Sequence, residues 1–164
     1  MAKVKDSGST REFSTGAHRD NAEGKGRCDL LPLKQVAEIM DDNVIREIAR
    51  FFEDFDPEHL RQAIRYSLTT IIEYQGNYET MFLETSHLYE DGANKYGPNN
   101  WKKGMPLTVY LDSGTRHYFK ALRGDDDEPH YRGFVWNLLG ALWSIDNVEN
   151  SLEQFKEDTQ NWKN

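Results

Sequence analysis

The sequence predicts an all-α fold, a compact bundle of five or six helices with a flexible, glycine-rich N-terminal arm. Apolar residues recur at helical spacing along most of the chain from about residue 30. Helix-start and helix-stop residues separate these stretches, and no run of alternating apolar and polar residues predicts a strand. The length of 164 residues suits one domain, so we expect an arm at 1–29 and a single all-α domain at 30–164.

Composition alone predicts the flexible arm. Residues 1 to about 27 hold glycines at positions 8, 16, 24 and 26 and few apolar side chains, which is typical of a mobile segment. Glycine stands beside Lys25 and Arg27, where backbone N–H groups could approach a phosphate. No strand and no phosphate-loop spacing accompanies these residues, so a mobile arm is the simpler interpretation.

Four helices are predicted in the first two thirds of the chain. Apolar residues at 33, 36, 37 and 40 predict a short helix, and those from 44 to 55 predict a longer one after the capping residues Asp41–Asn43. Asp56 followed by Pro57 is a strong start for the third helix. The fourth begins after Asn77 and stops at Gly97, a residue type that favours helix ends.

Two further helices and a C-terminal segment complete the prediction. One helix begins near Leu107 and closes at Gly124, and the next follows the acidic run Asp125–Glu128, which suits the positive end of a helix dipole. The second of these spans about 129 to 146 and is apolar almost all round, so we expect it at the centre. A thin apolar seam on the last segment predicts a homo-oligomer with this C-terminal segment, as a helix, at the interface. Packing of the segment on its own domain is the alternative. The seam consists of Val148, Leu152, Phe155 and Trp162.

Charge and cysteine content exclude several partners. A formal net charge of -8 makes a nucleic acid polymer a poor partner. The single cysteine, Cys28, allows neither a disulfide within the chain nor a cysteine-based zinc site, which fits a reducing cytoplasm. We find no signal peptide and no apolar run near the roughly 18 residues of a membrane span, so we expect no membrane partner.

Two acidic patterns are candidate metal sites. Glu84, His87 and Asp91 stand at i, i+3 and i+7 and therefore share one helix face, where carboxylates could hold magnesium. A solvated polar face is the alternative for these residues. Asp125 and Glu128 stand at i and i+3 at a helix start, and matching of the helix dipole is the alternative for them.

The loop after the fourth helix and the two helices behind it are candidate nucleotide-binding elements. Trp101 offers a large ring, and Asn137 in an apolar helix needs hydrogen-bond partners, for which a base edge, a ribose hydroxyl, a metal-bound water or a backbone carbonyl would serve. Nearby cations could neutralise phosphates, although Asp112 and Arg116 at i, i+4 could also pair with each other. The nucleotide-binding candidates are Lys25, Arg27, Lys95, Tyr96, Asn100, Trp101, Lys103, Arg116, His117, His130 and Asn137.

Several motifs taken together resemble a known family. They are the segments Ser14–Ala17 and Arg19–Pro32, then Glu90, Gly92-Ala93, Lys95-Tyr96-Gly97, Asn100-Trp101, Lys103-Gly104, Asp112-Ser113, Arg116-His117, Leu122-Arg123-Gly124, Asp127-Glu128-Pro129-His130 and Trp136-Asn137-Leu138. Over residues 14 to about 146 the sequence resembles the phage family named dATP/dGTP diphosphohydrolase, N-terminal. The resemblance implies a phage or prophage origin, nucleotide pyrophosphate chemistry and a location in the cytoplasm of the infected bacterial host.

The resemblance extends distantly to the MazG-like all-α nucleotide pyrophosphohydrolases, which carry E-x-x-E and E-x-x-D around magnesium. Glu84-x-x-His87 and Asp125-x-x-Glu128 stand in those places here. The resemblance thus implies hydrolysis of purine (deoxy)nucleoside triphosphates to monophosphate and pyrophosphate. The alternative is a non-catalytic phage sponge that sequesters nucleotide immune signals as an anti-defence protein. For the enzyme, the implied catalytic residues are Glu84, His87 and Glu128, and the implied magnesium ligands are Glu84, Glu90, Asp91, Asp125 and Glu128.

Overall fold

The computed structural model describes residues 8–162. Within that range the chain forms seven α-helices and one two-stranded hairpin, so the all-α prediction is confirmed. The predicted count of five or six helices is too low, because the C-terminal segment forms a helix of its own. No helix in this range combines the length and the apolar character that a membrane span needs. The helices are α1 (Leu33–Met40), α2 (Asn43–Asp54), α3 (Pro57–Thr70), α4 (Tyr78–Tyr96), α5 (Leu107–Arg123), α6 (His130–Asn147) and α7 (Ser151–Asn161).

Predicted caps define several helix boundaries. The side chains of Asp42, Asp56 and Asn77 each accept a hydrogen bond from a backbone N–H in the first turn of the following helix. Such bonds satisfy N–H groups that have no partner within the helix. α4 and α5 end at Gly97 and Gly124, whose φ angles of 91° and 80° favour glycine.

α6 lies at the centre of the fold, as its apolar surface predicts. It contacts α3, α4, α5 and α7, and its residues Phe134, Val135 and Leu138 are fully buried. Glycines allow α5 and α6 to approach closely, since a Cβ atom at Gly114 of α5 would lie 2.9 Å from Leu138. A Cβ atom at Gly140 of α6 would overlap a ring of α5 in the same way. This close pair brings the polar ends of α5 and α6 together.

The apolar seam of α7 packs within its own chain. Phe155 is 1% exposed and stacks on Phe51 of α2, with ring centroids 5.4 Å apart. Trp162 lies 6.4 Å from the ring of Phe52 on the same helix. The seam therefore covers α2, which is the alternative that the sequence left open. The homo-oligomer stays a prediction, and the apolar seam no longer supports it because the seam is covered within the chain.

A short hairpin precedes the helices and corrects the expectation that the chain has no strand. β1 (Thr10–Glu12) pairs antiparallel with β2 (His18–Asp20). Each strand has three residues, which is too short to show an alternating pattern. Of the predicted flexible arm, residues 1–7 lie outside the described part of the chain.

The N-terminal segment, residues 8–29, lies on α5 and α6. Arg19 Nη2 donates hydrogen bonds to Ser113 Oγ at 2.7 Å and to Asn137 Oδ1 at 2.8 Å. The backbone N–H of Cys28 donates to Asp112 Oδ1 at 2.7 Å. The part of the predicted arm that the structure describes is therefore bound to the two central helices.

Candidate functional site

The loop between α5 and α6 carries four consecutive acidic residues. Gly124 ends α5, and Pro129 precedes the first residue of α6, which is His130. The run Asp125–Glu128 between them lies at the helix N-terminus, where free N–H groups and the helix dipole favour negative charge. His130 is only 1% exposed. The loop thus gathers carboxylates around a buried imidazole.

The imidazole of His130 meets three side chains. Its Nε2 atom lies 2.7 Å from Asp127 Oδ1, and its Nδ1 atom lies 3.0 Å from His117 Nδ1 and 3.5 Å from Glu128 Oε1. An ionised carboxylate only accepts hydrogen bonds, so Nε2 carries a proton and donates a hydrogen bond to Asp127. This hydrogen bond lowers the pKa of the Asp127 carboxyl below its ordinary value. Asp127 therefore fixes the orientation of the ring.

His117 reaches the same point from α5. Its ring centroid lies 5.2 Å from that of His130. Gly133 makes room for it, since a Cβ atom there would lie 2.8 Å from atoms of the His117 ring. Burial and the nearby positive charge of Arg19 lower the pKa of His117 well below its ordinary value. His117 is therefore a neutral imidazole near pH 7.

These residues can form two groups of metal-ligating atoms. The first group is His117, Glu128 and His130, and the second is Asp125, Asp127 and His130. Within each group the ligand atoms lie within 4.8 Å of one another. Nitrogen and carboxylate oxygen are both ordinary ligands of divalent cations. We refer to the five residues together as the His cluster.

A surface cavity of about 300 Å³ adjoins the His cluster. Asp125 and Glu128 of the cluster line it, together with Tyr131 and Arg132 of α6. This volume is at the lower end of the range for small-molecule sites, about 300–1,000 Å³. Another cation stands at the cluster, because Lys120 Nζ lies 3.6 Å from Asp127 Oδ2. The cavity therefore combines carboxylates, a cation and a ring.

Glu84 lies beside this cavity, because it accepts hydrogen bonds from two of the residues that line it, Tyr131 and Arg132. Glu84 Oε2 accepts hydrogen bonds from Tyr131 Oη at 3.0 Å and from Arg132 Nε at 2.8 Å. The bond to Arg132 lowers the pKa of the Glu84 carboxyl. His87 lies 3.8 Å from Glu90, and neither residue belongs to a metal-ligating group. The exposed carboxylate of Asp91 also lies outside both groups, so among residues 8–162 no metal-ligating group combines the acids of α4 with those of the α5–α6 loop.

Most of the predicted nucleotide-binding residues contact the N-terminal segment instead. Lys95 Nζ and Tyr96 Oη both contact Asp20 Oδ1, at 2.7 Å and 2.5 Å. Arg116 Nη1 donates to Asp112 Oδ2 at 2.9 Å and to the carbonyl of residue 26 at 3.0 Å. In the same way Asn100 binds the backbone of His18, Lys103 binds the carbonyl of Gly16, Asn137 accepts from Arg19, and Arg27 pairs with Asp29. Lys25 is an exposed residue of the N-terminal segment itself.

Trp101 belongs to a partly exposed aromatic cluster apart from the acids. Its ring centroid lies 5.3 Å from that of Tyr89 and 5.4 Å from that of Trp143. Lys102 Nζ lies 5.5 Å from the centre of the Trp101 ring. These rings and this cation form a second surface with aromatic character.

Two important residues are missing from the predicted site residues, although both stand in the motifs that carry the family resemblance. Asp127 stands three residues before His130, the same spacing that drew attention to Asp125 and Glu128, so the signal was present in the sequence. Arg19 gave no such signal, because its partners on α5 and α6 are 94 and 118 positions away. His117 was predicted to bind nucleotide, and its contact with His130 makes it a candidate metal ligand as well.

Comparison with known proteins identifies the family of this chain. A family model described as dATP/dGTP diphosphohydrolase, N-terminal, matches residues 56–154, which is more than half of the chain. The match includes the whole His cluster and leaves out the N-terminal segment. The searches of curated proteins and of solved structures gave no match. The chain therefore belongs to the dATP/dGTP diphosphohydrolase, N-terminal, family, as its motifs predicted.

Proposed function

We propose that the protein hydrolyses purine (deoxy)nucleoside triphosphates to monophosphate and pyrophosphate at the His cluster. The observation that carries this proposal is the convergence of three carboxylates and two imidazoles beside a cavity of about 300 Å³. The description of the matching family, dATP/dGTP diphosphohydrolase, supports the same reaction. In this proposal the binding partner of the protein is its nucleotide substrate.

Four carboxylates line the cavity, Glu73, Asp125, Asp126 and Glu128, so a nucleoside triphosphate would bind there together with a divalent cation. Arg132 lines the cavity and Lys120 lies at the adjoining cluster, each in contact with one acid, Glu84 or Asp127. Their positive charge would attract the phosphates, and the partly exposed ring of Tyr131 offers a surface for a base. A divalent cation, magnesium in the first instance, would neutralise phosphate charge and lower the pKa of a bound water. Asp125 and Glu128 belong to different ligand groups, so one of them stays on the cavity wall to accept a proton whichever group holds the cation.

One incubation tests this proposal. The purified chain is mixed with dATP or dGTP and with magnesium or manganese, and the products are separated by chromatography after heat denaturation. We expect a nucleoside monophosphate and pyrophosphate. Glu128→Gln removes a cluster carboxylate and should slow the reaction by about 100-fold or more. The matched control is Glu157→Gln on the exposed face of α7, which should leave the rate unchanged.

Glu84 allows a second use of the same assay. Glu84→Gln weakens the hold on Arg132 and Tyr131, which line the cavity. If Glu84 acts through these two residues, the variant should change KM for the nucleotide more than kcat. A loss confined to kcat would instead make Glu84 a catalytic carboxylate, the role that its place in the E-x-x-E position implies.

Sequestration of a nucleotide signal is the second candidate function. It is favoured by the aromatic surface of Trp101, Tyr89 and Trp143, which offers rings for stacking at a distance from the acids. In that case heat would release an intact nucleotide after tight binding by the native chain. Binding would weaken in Trp101→Ala and would be unaffected in Glu128→Gln. Failure to bind any nucleotide, including cyclic and ADP-ribose-type signals, would contradict both functions.

A further inference from the structure

We propose that His117, Glu128 and His130 bind one divalent transition-metal ion, and that Asp127 holds His130 in the ligating orientation. The inference names the metal class and the ligands for the site on which the proposed hydrolysis rests. It depends on the arrangement of protein atoms and not on the identity of the nucleotide.

The hydrogen bonds of His130 determine which of its nitrogen atoms can bind a metal. Nε2 donates its proton to Asp127 Oδ1 at 2.7 Å. In the neutral form that metal binding requires, the imidazole has only one N–H, so Nδ1 bears a lone pair. That atom faces His117 Nδ1 at 3.0 Å and Glu128 Oε1 at 3.5 Å. The lone pair of His130 therefore points to two other ligand-type atoms.

The distances from His130 Nδ1 to His117 Nδ1 and to Glu128 Oε1 suit a metal site, and the ligand atoms of the three residues all lie within 4.8 Å of one another. A metal–nitrogen distance of about 2.0–2.1 Å in tetrahedral geometry places neighbouring ligand atoms about 3.3 Å apart. The two distances from His130 Nδ1, 3.0 Å and 3.5 Å, lie on either side of that value. A metal could therefore take the place of the hydrogen bond between the two rings with small adjustments of the side chains. His117 would then carry its proton on Nε2, which leaves its charge unchanged.

Gly133 supplies an independent observation in favour of the site. A Cβ atom at this position would lie 2.8 Å from His117 Nδ1, so the absence of a side chain on α6 is what allows the ring to lie there. Glycine inside a helix costs about 0.5–1 kcal/mol relative to alanine. The helix therefore carries an unfavourable residue at the place where it makes room for a candidate ligand.

The chemical nature of the ligands selects the metal. Magnesium prefers six oxygen ligands, whereas imidazole nitrogen suits zinc, cobalt, nickel and related ions. Two imidazoles and one carboxylate with a fourth position open to water is also the ligand set of catalytic zinc sites. The carboxylate of Asp127 on the far nitrogen of His130 adds the outer partner that orients metal-binding histidines.

The second ligand group is a weaker choice. Using Asp125, Asp127 and His130 would require Nε2 to lose the proton that it donates to Asp127. Asp125 is in addition paired with Arg123, with Arg123 Nε 2.6 Å from Asp125 Oδ1. Asp125 and Glu128 both line the cavity, so they form a matched pair that distinguishes the two groups.

Cobalt binding tests the inference. The full chain is freed of metal with a chelator and titrated with Co²⁺, whose visible absorption reports nitrogen ligands and coordination number. Calorimetry with Zn²⁺, Mn²⁺ and Mg²⁺ supplies stoichiometry and affinity. We expect one ion per chain and a much lower affinity for Mg²⁺. Asp127→Asn should weaken binding by about 10–100-fold, as loss of an outer partner does. His117→Gln and Glu128→Gln should weaken it further, and Asp125→Asn should leave it unchanged.

Several results would overturn the inference. These are no Co²⁺ binding by the unaltered chain, equal affinity for Mg²⁺ and Co²⁺, or a loss in Asp125→Asn that matches the loss in Glu128→Gln. Circular dichroism verifies that each variant is folded, and Glu128→Gln carries the test if His117→Gln does not fold. Metal binding without nucleotide hydrolysis would contradict the proposed function alone. Hydrolysis with magnesium in a chain that binds no Co²⁺ would contradict this inference alone.

Discussion

The interface of the N-terminal segment and the His cluster differ in how their polar groups are paired. At the interface Lys95 contacts Asp20 at 2.7 Å, and Arg116 contacts Asp112 at 2.9 Å. In the His cluster two imidazole nitrogens face each other at 3.0 Å, with a carboxylate oxygen 3.5 Å from one of them. The interface thus holds cations against oxygen atoms of the chain, whereas the cluster holds two imidazole nitrogens and a carboxylate oxygen, all metal-ligating atoms, close together.

This difference separates two reasons for a polar residue to belong to a motif. A residue whose charge is matched within the chain holds one segment on another, and its removal should reduce stability. A residue whose ligating atom lies near other ligating atoms, as in His117, Glu128 and His130, is arranged for a cation that comes from outside. The comparison therefore predicts large stability effects at the interface and loss of metal binding at the cluster.

Asp112→Ala should give the largest effect on stability. Asp112 is 4% exposed and accepts hydrogen bonds from Cys28 N and from Arg116 Nη1. Removing one partner of a buried ion pair costs about 3–5 kcal/mol of unfolding free energy. Urea denaturation measures the loss, and Asp146→Ala at the exposed end of α6 is the control, with an expected change below about 0.5 kcal/mol. Similar stability of the two variants would contradict the structural role of Asp112.

Gly133→Ala should damage the cluster while costing less stability. The added Cβ atom would lie 2.8 Å from the His117 ring, and such overpacking costs about 1–3 kcal/mol. Displacement of the ring should also weaken Co²⁺ binding in a spectroscopic titration. Gly92→Ala is the matched control, because nothing lies within 4 Å of the Cβ position on α4. That variant should gain about 0.5–1 kcal/mol and bind Co²⁺ normally.

His59 sharpens the comparison because both of its nitrogen atoms meet carboxylates. Nδ1 lies 2.6 Å from Glu47 Oε2 and Nε2 lies 2.9 Å from Asp54 Oδ2. Burial lowers the pKa of His59, but the hydrogen bonds to Glu47 and Asp54 outweigh it, so the net shift is upward. A raised pKa contributes stability that is fully present below about pH 6.5, the unfolded value, and is lost as pH rises through the folded pKa.

His59→Gln should therefore flatten the pH dependence of stability. The effect is that of a partly exposed ion pair, about 0–1 kcal/mol in size. Urea denaturation at about pH 5.5 and about pH 8.5 measures it, since these values lie on either side of the ordinary histidine pKa. The variant should lose more stability at the lower pH. An equal loss at both values would mean that His59 is not charged in the folded chain.

Asp91→Asn should have the smallest effect. Asp91 is exposed on α4 and lies outside both metal-ligating groups. The expected change in unfolding free energy is within about 0.5 kcal/mol, and Co²⁺ affinity should not change. A clear loss of metal affinity in calorimetry would instead support the magnesium site that the spacing of Glu84, His87 and Asp91 predicts.

The features that the sequence predicts well depend on neighbours along the chain. Asp56 and Asn77 cap α3 and α4 because a capping side chain binds an N–H two or three residues away. Asp125, Glu128 and His130 were all predicted as site residues, and the short loop and first turn of α6 keep them together. Local geometry is therefore enough to predict the helix caps and the grouping of these three site residues.

The partners that the sequence does not reveal are distant along the chain. Lys95 meets Asp20 across 75 positions, and Arg132 meets Glu84 across 48. The spacing of residues on one helix shows which face Lys95 and Glu84 lie on. It does not show which distant residue forms an ion pair with each of them. The sequence therefore predicts Lys95 and Arg116 as phosphate ligands, whereas the fold joins each of them to an acid of its own chain.

The position of the N-terminal segment has a consequence for synthesis on the ribosome. Residues 8–29 are translated before the helices, yet Arg19 binds Asn137 on α6, which is 118 positions further on. At translation rates of about 5–20 residues per second, the segment waits roughly 6–24 s for its partner to be made. α1, α2 and α3 contact one another locally and can assemble during that time. The hairpin leaves the ribosome before the helices, yet it is among the last parts of the fold to reach its place.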